Sequence, residues 1–452
     1  MFEADTRDAR APGARRLQGS CSGGLEAERG PRRTPPGPTE AYDTSQDLLV
    51  WIGGNLDRFG DIFKARAFGG DIYVVNHPDH IQHVLRRNWK NYRKGFAIKK
   101  IALLLGRGLM VSEGELWKTQ RKLIRPAFHR NAVEALVEIM NATNLDLRNR
   151  WRQAAARGET VNVTRDTSAM ALNTVLMSLF GADFEALEPH FRILTEEAAR
   201  NLELVEAFKG LRQIVGELVS RRRRDGDPSP DMLAMLMGLR DAAGRPAMSD
   251  SQLISEVMTT VVAGHETTAS TLNWTWYLLS RHPRVEQRVQ AEVDTVVRGD
   301  AVGLADMAKA PLTRQVLDEA MRLYPAGWLM TRRALKDDQL GEYVVPAGTE
   351  IYIAPYFMQR HPGFWEDPAR FDPDRFAPER SQDRPELAML PFSAGPRNCI
   401  GEQYARTEMQ IHLMTMAKRL RLTYADARAP ELDVGVNLRS KHDFIMRPEL
   451  RA

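Results

Sequence analysis

The chain has 452 residues, of which 43% are hydrophobic and 27% charged, a balance typical of a globular protein with a core large enough to enclose a cofactor. A net charge of only +4, without a dedicated basic arm, argues against nucleic acid as a partner. Two cysteines, Cys21 and Cys399, are too few for a disulfide framework and indicate a reducing compartment such as the cytoplasm.

The first 40 residues are rich in Arg, Gly, Pro and Glu and lack the apolar core of a secretory signal. We expect residues 1–40 to form a disordered tail and residues 41–452 to form one large domain. No run of 18 or more apolar residues predicts a membrane span. We therefore expect a soluble protein.

Hydrophobic periodicity predicts a mainly helical domain with a few short strands. Strands are expected at residues 72–76 and 342–354. Helices are expected at residues 114–125, 132–152, 164–180, 231–239, 308–323 and 401–420.

The predicted helix at residues 114–125 has two distinct faces. Trp117 and Arg121 are four residues apart, so an indole N–H and a guanidinium share one face. Lys118, Lys122 and Arg125 follow the same helical spacing and form a basic face. Taken alone, the pattern favours an ordinary amphipathic helix with one aromatic residue.

The longest predicted helix starts at Ser249, with a glutamine three residues later for a capping box, and ends at His282 before a proline. A helix of roughly 30 residues is about 45–50 Å long, so it must cross the domain. Its middle joins apolar residues to Gly264 and to the acid–hydroxyl pair Glu266–Thr267. Glycine inside a helix lowers the stability of the helix by about 1 kcal/mol relative to alanine. Its presence here indicates that another group must closely approach the helix backbone.

Two later segments carry paired charges. Glu319 and Arg322 are three residues apart on a predicted helix, where an exposed pair of this kind contributes about 0.3–0.5 kcal/mol. Arg375 follows in a loop segment of sequence Phe-Asp-Pro-Asp-Arg-Phe.

Cys399 lies in a loop rich in Gly and Pro, directly before a predicted helix. The N–H groups and dipole of a helix N-terminus stabilise a thiolate. No second cysteine or Cys/His cluster is spaced for structural zinc. A nucleophilic cysteine would need a histidine base, and none is close in sequence, although a histidine from elsewhere in the fold could serve. The remaining strong interpretation is an axial thiolate on a haem iron.

The segment resembles the haem-binding signature of the cytochrome P-450 superfamily, because Phe392, Gly395, Arg397, Cys399 and Gly401 all have the family's spacing. The resemblance implies the family's fold, a mainly α domain with small β-sheets (α+β) that encloses haem b beside a long central helix. It also implies a soluble, bacterial-type member that is an oxygen-activating monooxygenase.

The resemblance extends to the two paired-charge segments. Glu319 and Arg322 resemble the Glu-x-x-Arg motif of the family's K helix, and Arg375 would complete a buried structural network behind the haem. This network would not be catalytic.

The resemblance also implies which side chains hold the haem propionates. Trp117 and Arg121 resemble the family's C-helix donors, and Arg332 and Arg397 would be further donors. Arg333 is adjacent, so the choice between Arg332 and Arg333 stays open. Arginine is suited to binding carboxylates in an apolar site.

The middle of the longest helix resembles the family's oxygen-binding segment, in which Ala263 and Gly264 lie against the haem. Dioxygen must receive two electrons and two protons before its O–O bond breaks. The resemblance assigns the hydrogen bond to the bound oxygen to Thr267, by its spacing from Gly264, and not to Thr268. It assigns the proton relay to Glu266.

The resemblance implies a separate electron donor, namely a ferredoxin or flavodoxin with its reductase, which draws electrons from NAD(P)H. The chain ends soon after its last predicted strands, so we expect no fused reductase domain and a monomer. Acidic redox partners of the family dock near the thiolate, so Lys118, Lys122 and Arg125 are expected to contribute to docking. A solvated helix face is the alternative.

By correspondence with the family, the substrate pocket is expected to include Phe96, Val261, Val262, Leu329 and Leu438. Their apolar side chains favour a lipophilic small molecule. We expect a terpenoid or similar secondary-metabolite scaffold, with fatty-acid hydroxylation as the alternative.

Two other classes of haem protein compete with this interpretation. A peroxide-driven haem-thiolate enzyme would not need the Glu266–Thr267 pair, so that pair argues against it. A haem-based gas sensor would need neither an electron donor nor a proton relay.

Overall fold

The computed structural model describes residues 33–195, 203–226, 229–241 and 243–451. Its helices are α1 (Leu48–Phe59), α2 (Pro78–Gln82), α3 (Ala97–Leu105), α4 (Gly114–Ile124), α5 (Arg130–Ala135), α6 (Val137–Arg157), α7 (Val163–Phe180), α8 (Phe184–Phe191), α9 (Glu203–Asp225), α10 (Met232–Gly238), α11 (Asp250–Arg281), α12 (Pro283–Val296), α13 (Leu304–Ala308), α14 (Pro311–Leu323), α15 (Pro355–Met358), α16 (Pro378–Ser381) and α17 (Glu402–Ala417). Its strands are β1 (Ile62–Ala67), β2 (Gly70–Val75), β3 (Tyr92–Lys94), β4 (Val161–Asn162), β5 (Met330–Ala334), β6 (Asp338–Leu340), β7 (Tyr343–Val345), β8 (Glu350–Ile353), β9 (Leu420–Tyr424), β10 (Leu432–Val434), β11 (Leu438–Ser440) and β12 (Ile445–Leu450). The predicted class, mainly helical with small sheets, is confirmed.

Two predicted elements are divided in the structure. The helix expected at residues 132–152 is interrupted at Leu136, which separates α5 from α6. The strand expected at residues 342–354 is split into β7 and β8 by a turn in which Thr349 N–H donates to the carbonyl of Pro346. Proline cannot donate to a strand ladder and Gly348 has a φ of +87°, so this segment turns instead of continuing.

The long helix α11 is the axis of the domain, and it packs against α7, α9, α14 and α17. Its 32 residues begin after Ser249, whose hydroxyl accepts the N–H of Gln252. At Gly264 a Cβ would lie 2.9 Å from a methyl group of Val175 on α7. The glycine therefore lets α7 approach the backbone of α11, which offsets its cost within a helix.

A five-stranded sheet of order β1-β2-β8-β5-β3 lies apart from the helical core. Its β2–β8 pair is parallel and the other pairs are antiparallel. The β3–β5 register places Lys94 opposite Arg332, so this sheet sets the position of one predicted haem-binding arginine. The remaining strands form sheets of order β4-β12-β9, β10-β11 and β6-β7.

The predicted tail lies only partly within the described residues, since residues 1–32 are outside them. Residues 33–40 contact the sheets. Arg33 forms a β-bridge with Tyr343 and an ion pair with Glu342, and the carbonyl of Pro36 accepts the N–H of Lys64.

One segment, Val163–Thr195, is long and apolar enough by length and composition to cross a membrane, and it contains α7. Many side chains of α7 are buried against α6 and α11, as in the core helix of a globular domain.

A buried histidine joins three helices at the centre of the core. The indole N–H of Trp276 on α11 donates to Nε2 of His412 on α17 at 2.9 Å, and Nδ1 of His412 lies 2.7 Å from Oδ1 of Asn144 on α6. Since an indole only donates, Nε2 accepts and Nδ1 carries the proton. Burial lowers the pKa of His412 to about 3.

This arrangement predicts acid sensitivity that can be traced to one residue. The unfolded chain protonates His412 below about pH 6.5 and the folded chain does not, so stability is present above that pH and lost as the pH falls toward 3. Between pH 7 and pH 5 the loss from this group is about 2 kcal/mol. We expect His412→Gln to flatten the dependence while lowering stability at pH 7, since it disturbs the hydrogen bonds of Trp276 and Asn144.

The measurement is urea unfolding at several pH values, with His190→Gln at an exposed position as the control. An unchanged pH dependence in His412→Gln would contradict the assignment.

Candidate active site

Cys399 lies at the end of a tight loop before α17. Its backbone N–H donates to the carbonyl of Phe392 at 2.9 Å, and the N–H of Asn398 donates to the carbonyl of Gly395. Gly395 has a φ of +72°, and a Cβ there would lie 2.0 Å from the carbonyl oxygen of Leu85. Only glycine fits this position. The loop can therefore pack against the backbone of Leu85 and expose the sulfur of Cys399.

Cys399 is exposed by its accessible surface, since its thiol, although surrounded by many protein atoms, opens into a cavity of about 610 Å³ between α4 and the loop. The cavity is lined by Trp117, Lys118, Arg121, Lys122, Arg125, Phe128, His129, Pro396, Asn398, Cys399 and Ile400. Burial raises the pKa of the Cys399 thiol, whereas the backbone hydrogen bond from Gly401 and the charge of Arg121 lower it. A bound cation at the sulfur would favour the thiolate.

The structure brings three predicted propionate donors, Trp117, Arg121 and Arg397, close to the Cys399 loop. Trp117 is buried on α4, and its ring lies 5.2 Å from the guanidinium carbon of Arg397. Arg121 donates to the backbone carbonyl of Asn398 at 2.9 Å, which ties α4 to the Cys399 loop. Arg397 forms an ion pair with Glu113 at 2.7 Å.

The two adjacent arginines on β5 have different surroundings. Arg332 is 9% exposed, and its guanidinium donates to the carbonyl of Thr331. Arg333 is more exposed and lies 3.9 Å from Glu350. Burial and the nearby charge of Arg397 lower the pKa of Arg332 to about 10. Arg332 is thus the buried member and Arg333 the outward one.

The predicted structural network is assembled in the core. Arg322 donates to both carboxylate oxygens of Glu319, at 2.6 and 2.8 Å, and Arg375 lies 3.4 Å from the same carboxylate. All three side chains are buried. Arg322 also donates to the backbone carbonyls of Gln359 and Pro368.

In the middle of α11, Thr267 donates to the carbonyl of Ala263 at 2.9 Å. Thr268 is buried, and its hydroxyl lies beside the carboxyl of Glu408 on α17. Glu266 forms an ion pair with Arg439 of β11 at 3.2 Å. The adjacent residues 266–268 therefore face three different surroundings.

The predicted pocket residues belong to separate packing groups. Leu438 is fully buried in a cluster with Trp328, and Leu329 packs against that cluster. Val261 is fully buried in the helical core, and Val262 packs against it. The ring of Phe96 lies 6.3 Å from that of Phe68. Of the five predicted pocket residues, Leu329 and Leu438 thus share one packing cluster.

The predicted docking residues Lys118, Lys122 and Arg125 are exposed and line the cavity that leads to Cys399. Lys118 is paired with Glu115. Arg125 lies in a 3₁₀ turn and not in the expected helix, because α4 ends at Ile124.

Among the described residues, three ionisable groups near the site were not predicted from the sequence: Glu256 and Glu408, which are buried, and Lys94, which is partly buried. Burial lowers the pKa of Lys94 to about 7, and burial raises that of Glu256 to about 7 and that of Glu408 to about 8. Lys94 donates to the carbonyls of Leu109 and Ser112, at 2.8 and 2.9 Å. A charged residue inside an otherwise apolar helix stripe was the only sequence signal available for Glu256 and Glu408.

The residues around Cys399 fit a haem. Among the described residues, Cys399 has a thiol without a disulfide partner, and Nε of Arg397 is buried without a hydrogen-bond partner. Gly401 leaves room beside the sulfur, since a Cβ there would lie 3.9 Å from Sγ. A thiol in an opening flanked by buried guanidinium groups suits an iron porphyrin with two carboxylates.

Comparison with known proteins agrees with this geometry. The Cytochrome P450 family model matches residues 54–204 and 190–445. The chain is 32% identical over 389 residues to cyclooctat-9-en-7-ol 5-monooxygenase of Streptomyces melanosporofaciens, covering 81% of this chain and 84% of the relative. It is 31% identical over 400 residues to pentalenene oxygenase of Streptomyces avermitilis, covering 84% and 87%.

The fold is also similar to that of a solved structure. The crystal structure of a cytochrome P-450 haem domain superposes with a TM-score of 0.81, covering 93% of this chain and 97% of that chain at 24% identity. The family implies a haem cofactor and oxygen-dependent monooxygenation. With the cysteine loop, the buried ion-pair network and the family match all in agreement, the chain belongs to the cytochrome P-450 family and is a monooxygenase.

Proposed function

We propose that this monooxygenase hydroxylates a terpenoid scaffold and receives its electrons from a separate ferredoxin or flavodoxin, reduced in turn by an NAD(P)H-dependent reductase. The observation that carries the proposal is the Cys399 thiol in a cavity whose rim is basic. The names of the two Streptomyces relatives specify cyclooctat-9-en-7-ol and pentalenene, which supports a terpenoid as the substrate class. We place the protein in the cytoplasm as a soluble monomer, in line with its two cysteines.

Haem, when bound, supplies the redox chemistry that activates dioxygen. Cys399 would ligate its iron, while Trp117, Arg121, Arg332 and Arg397 would hold its propionates. Because Arg397 is paired with Glu113, it would share its guanidinium between that carboxylate and a propionate. Arg332 brings a buried charge that a propionate would neutralise.

Thr267 and Glu266 supply and move protons on α11. The Oγ1 of Thr267 donates to its own helix, and this weak local bond is easily exchanged for a hydrogen bond into the site. The Glu266 side chain is 35% exposed, so it can take a proton from solvent and pass it through water toward Thr267. Each proton transferred inward is replaced from bulk water.

The basic rim of the cavity favours an acidic electron donor. Lys118, Lys122 and Arg125 place three positive charges on the surface nearest the thiol. Opposite charge on a partner raises the association rate more than the affinity. A donor seated there would be separated from Cys399 by little more than the cavity.

The substrate class is tested by spectral titration of the haem-loaded protein with terpenes, steroids, polyketides and fatty acids. We expect terpene probes to shift the haem spectrum at the lowest concentrations, because the two Streptomyces relatives are named for cyclooctat-9-en-7-ol and pentalenene. Cys399→Ser is the control that should abolish the thiolate spectrum. Tightest binding by a fatty acid would replace the terpenoid proposal with fatty-acid hydroxylation.

The docking surface is tested by charge reversal. We expect Lys118→Glu, Lys122→Glu and Arg125→Glu each to slow reduction by a ferredoxin several-fold at low salt, with the difference shrinking as salt screens the charges. Stopped-flow reduction measures this rate. The control Lys309→Glu reverses an exposed charge elsewhere and should have little effect. Equal rates for all variants would place the donor on another face.

The role of Thr267 is tested by removing its hydroxyl. We expect Thr267→Ala to bind haem normally but to divert electrons to peroxide, because the hydrogen bond that guides protons is lost. Thr267→Ser keeps the hydroxyl and should restore most of the coupling. Peroxide release per electron consumed is the measurement, and equal coupling in the alanine variant would remove Thr267 from the mechanism.

A further inference from the structure

A charged contact connects Glu266 to a hairpin near the end of the chain. Glu266 accepts a hydrogen bond from Nη1 of Arg439 at 3.2 Å. The Nε of the same guanidinium donates to Asp433 at 2.9 Å, and Asp433 lies opposite Arg439 in the β10–β11 register. One guanidinium therefore serves two carboxylates, one on α11 and one on its own hairpin.

The hairpin is attached to its surroundings independently of this ion pair. The hydroxyl of Ser270, one turn after Glu266 on α11, donates to the carbonyl of Leu438 at 2.8 Å. The N–H of Leu438 donates to the carbonyl of Ala326, and the indole of Trp328 donates to the carbonyl of Gly435. The backbone of β11 is thus held beside the face of α11 that carries Glu266.

The strand presents two different side chains to its two sides. Leu438 is fully buried, whereas the next residue, Arg439, points to the opposite side as alternation in a strand requires. Leu438 therefore fixes the strand in its buried cluster, while Arg439 faces Glu266 on α11.

The ion pair between Glu266 and Arg439 is weak enough to open. The side chains of Glu266, Arg439 and Asp433 are 33–36% exposed, and ion pairs with this exposure are weak and screened by salt. If Glu266 leaves, Arg439 keeps Asp433 as its partner, so the guanidinium charge stays paired, and the partly exposed Glu266 carboxylate is solvated by water. Asp433 thus competes with Glu266 for one cation.

We propose that Arg439 is a positioning residue that holds Glu266 at the hairpin, and that Asp433, by competing for the same guanidinium, sets how readily Glu266 is released to carry protons. The inference rests on the proposed proton-relay role of Glu266. In this proposal Arg439 acts only through Glu266.

Carboxylate labelling measures the release directly. The haem-loaded protein is treated with a water-soluble carbodiimide and glycine ethyl ester, and the labelling rate of the Glu266 peptide is followed by mass spectrometry. We expect Arg439→Gln to raise this rate about two- to fivefold, the range that loss of an exposed ion pair allows. We expect Asp433→Asn to lower the rate about twofold and Arg439→Lys to stay near the parent value.

A matched control separates this effect from general loosening. Arg428 forms an exposed ion pair with Asp426 outside the β10–β11 strands, so Arg428→Gln should leave Glu266 labelling unchanged. Changes of the same sign in Arg439→Gln and Asp433→Asn, or no change in either, would overturn the proposal.

Oxygen consumption without substrate gives the functional readout, with a surrogate ferredoxin, its reductase and NADPH as the electron source. We expect Arg439→Gln to consume oxygen faster and Asp433→Asn more slowly, each by about two- to fivefold. Glu266→Gln should be slow, with a larger solvent isotope effect. If Glu266→Gln matches the parent, the proton-relay role fails. If Glu266→Gln is impaired but the other two variants match the parent in labelling and consumption, only the role of Arg439 fails.

Discussion

The position of Cys399 depends on the buried ion pair between Glu319 and Arg322. Neither side chain is exposed, and burying two charges is expensive unless every lone pair and proton finds a partner. Glu319 accepts from Arg322 twice and also from the backbone N–H of Asp372, while Arg322 donates to the carbonyls of Gln359, Pro368 and Arg370. The hydrogen bonds of the pair therefore hold in place loops that have little secondary structure of their own.

Gln359 connects the end of α14 to the cysteine loop through hydrogen bonds of its side chain. Its side-chain N–H groups donate to the carbonyls of Met321 and Arg322, and its carbonyl oxygen accepts the N–H of Leu390, where the loop begins. A second connection runs from Arg406 on α17 to Asp318 on α14 at 2.6 Å. The segment that presents the thiol is thus fixed to α14 at both of its ends. A loop of Gly and Pro residues gains from α14 the rigidity that a metal ligand needs.

Features that depend on residues close together in the sequence were predicted better than the others, for a physical reason. The spacing of Gly395, Arg397 and Cys399 is local, and the loop conformation follows from which residues tolerate a positive φ or a close backbone, so this part could be read directly. The Glu319–Arg322 contact is also local, since three residues bring the two onto one helix face. The interruption at Leu136 carried no comparable punctuation by Gly or Pro, and the predicted helix was therefore too continuous.

Contacts between distant segments could not be predicted from the spacing of residues in the sequence. Arg439 reaches Glu266 across 173 positions, and Glu113 reaches Arg397 across 284, so no spacing rule could pair them. Each contact pairs a carboxylate with an arginine, so each offsets a positive charge at or near the predicted site. Glu113 moderates a group of buried cations that includes Arg332, Arg397 and Lys94, since its charge acts to raise the pKa of Lys94 against burial. Because these cations already share one carboxylate, two propionates would add the negative charge that the cluster lacks. The proposed relay depends on a difference between the two acids: the arginine that pairs with Glu266 also pairs with Asp433, a second carboxylate on the same hairpin.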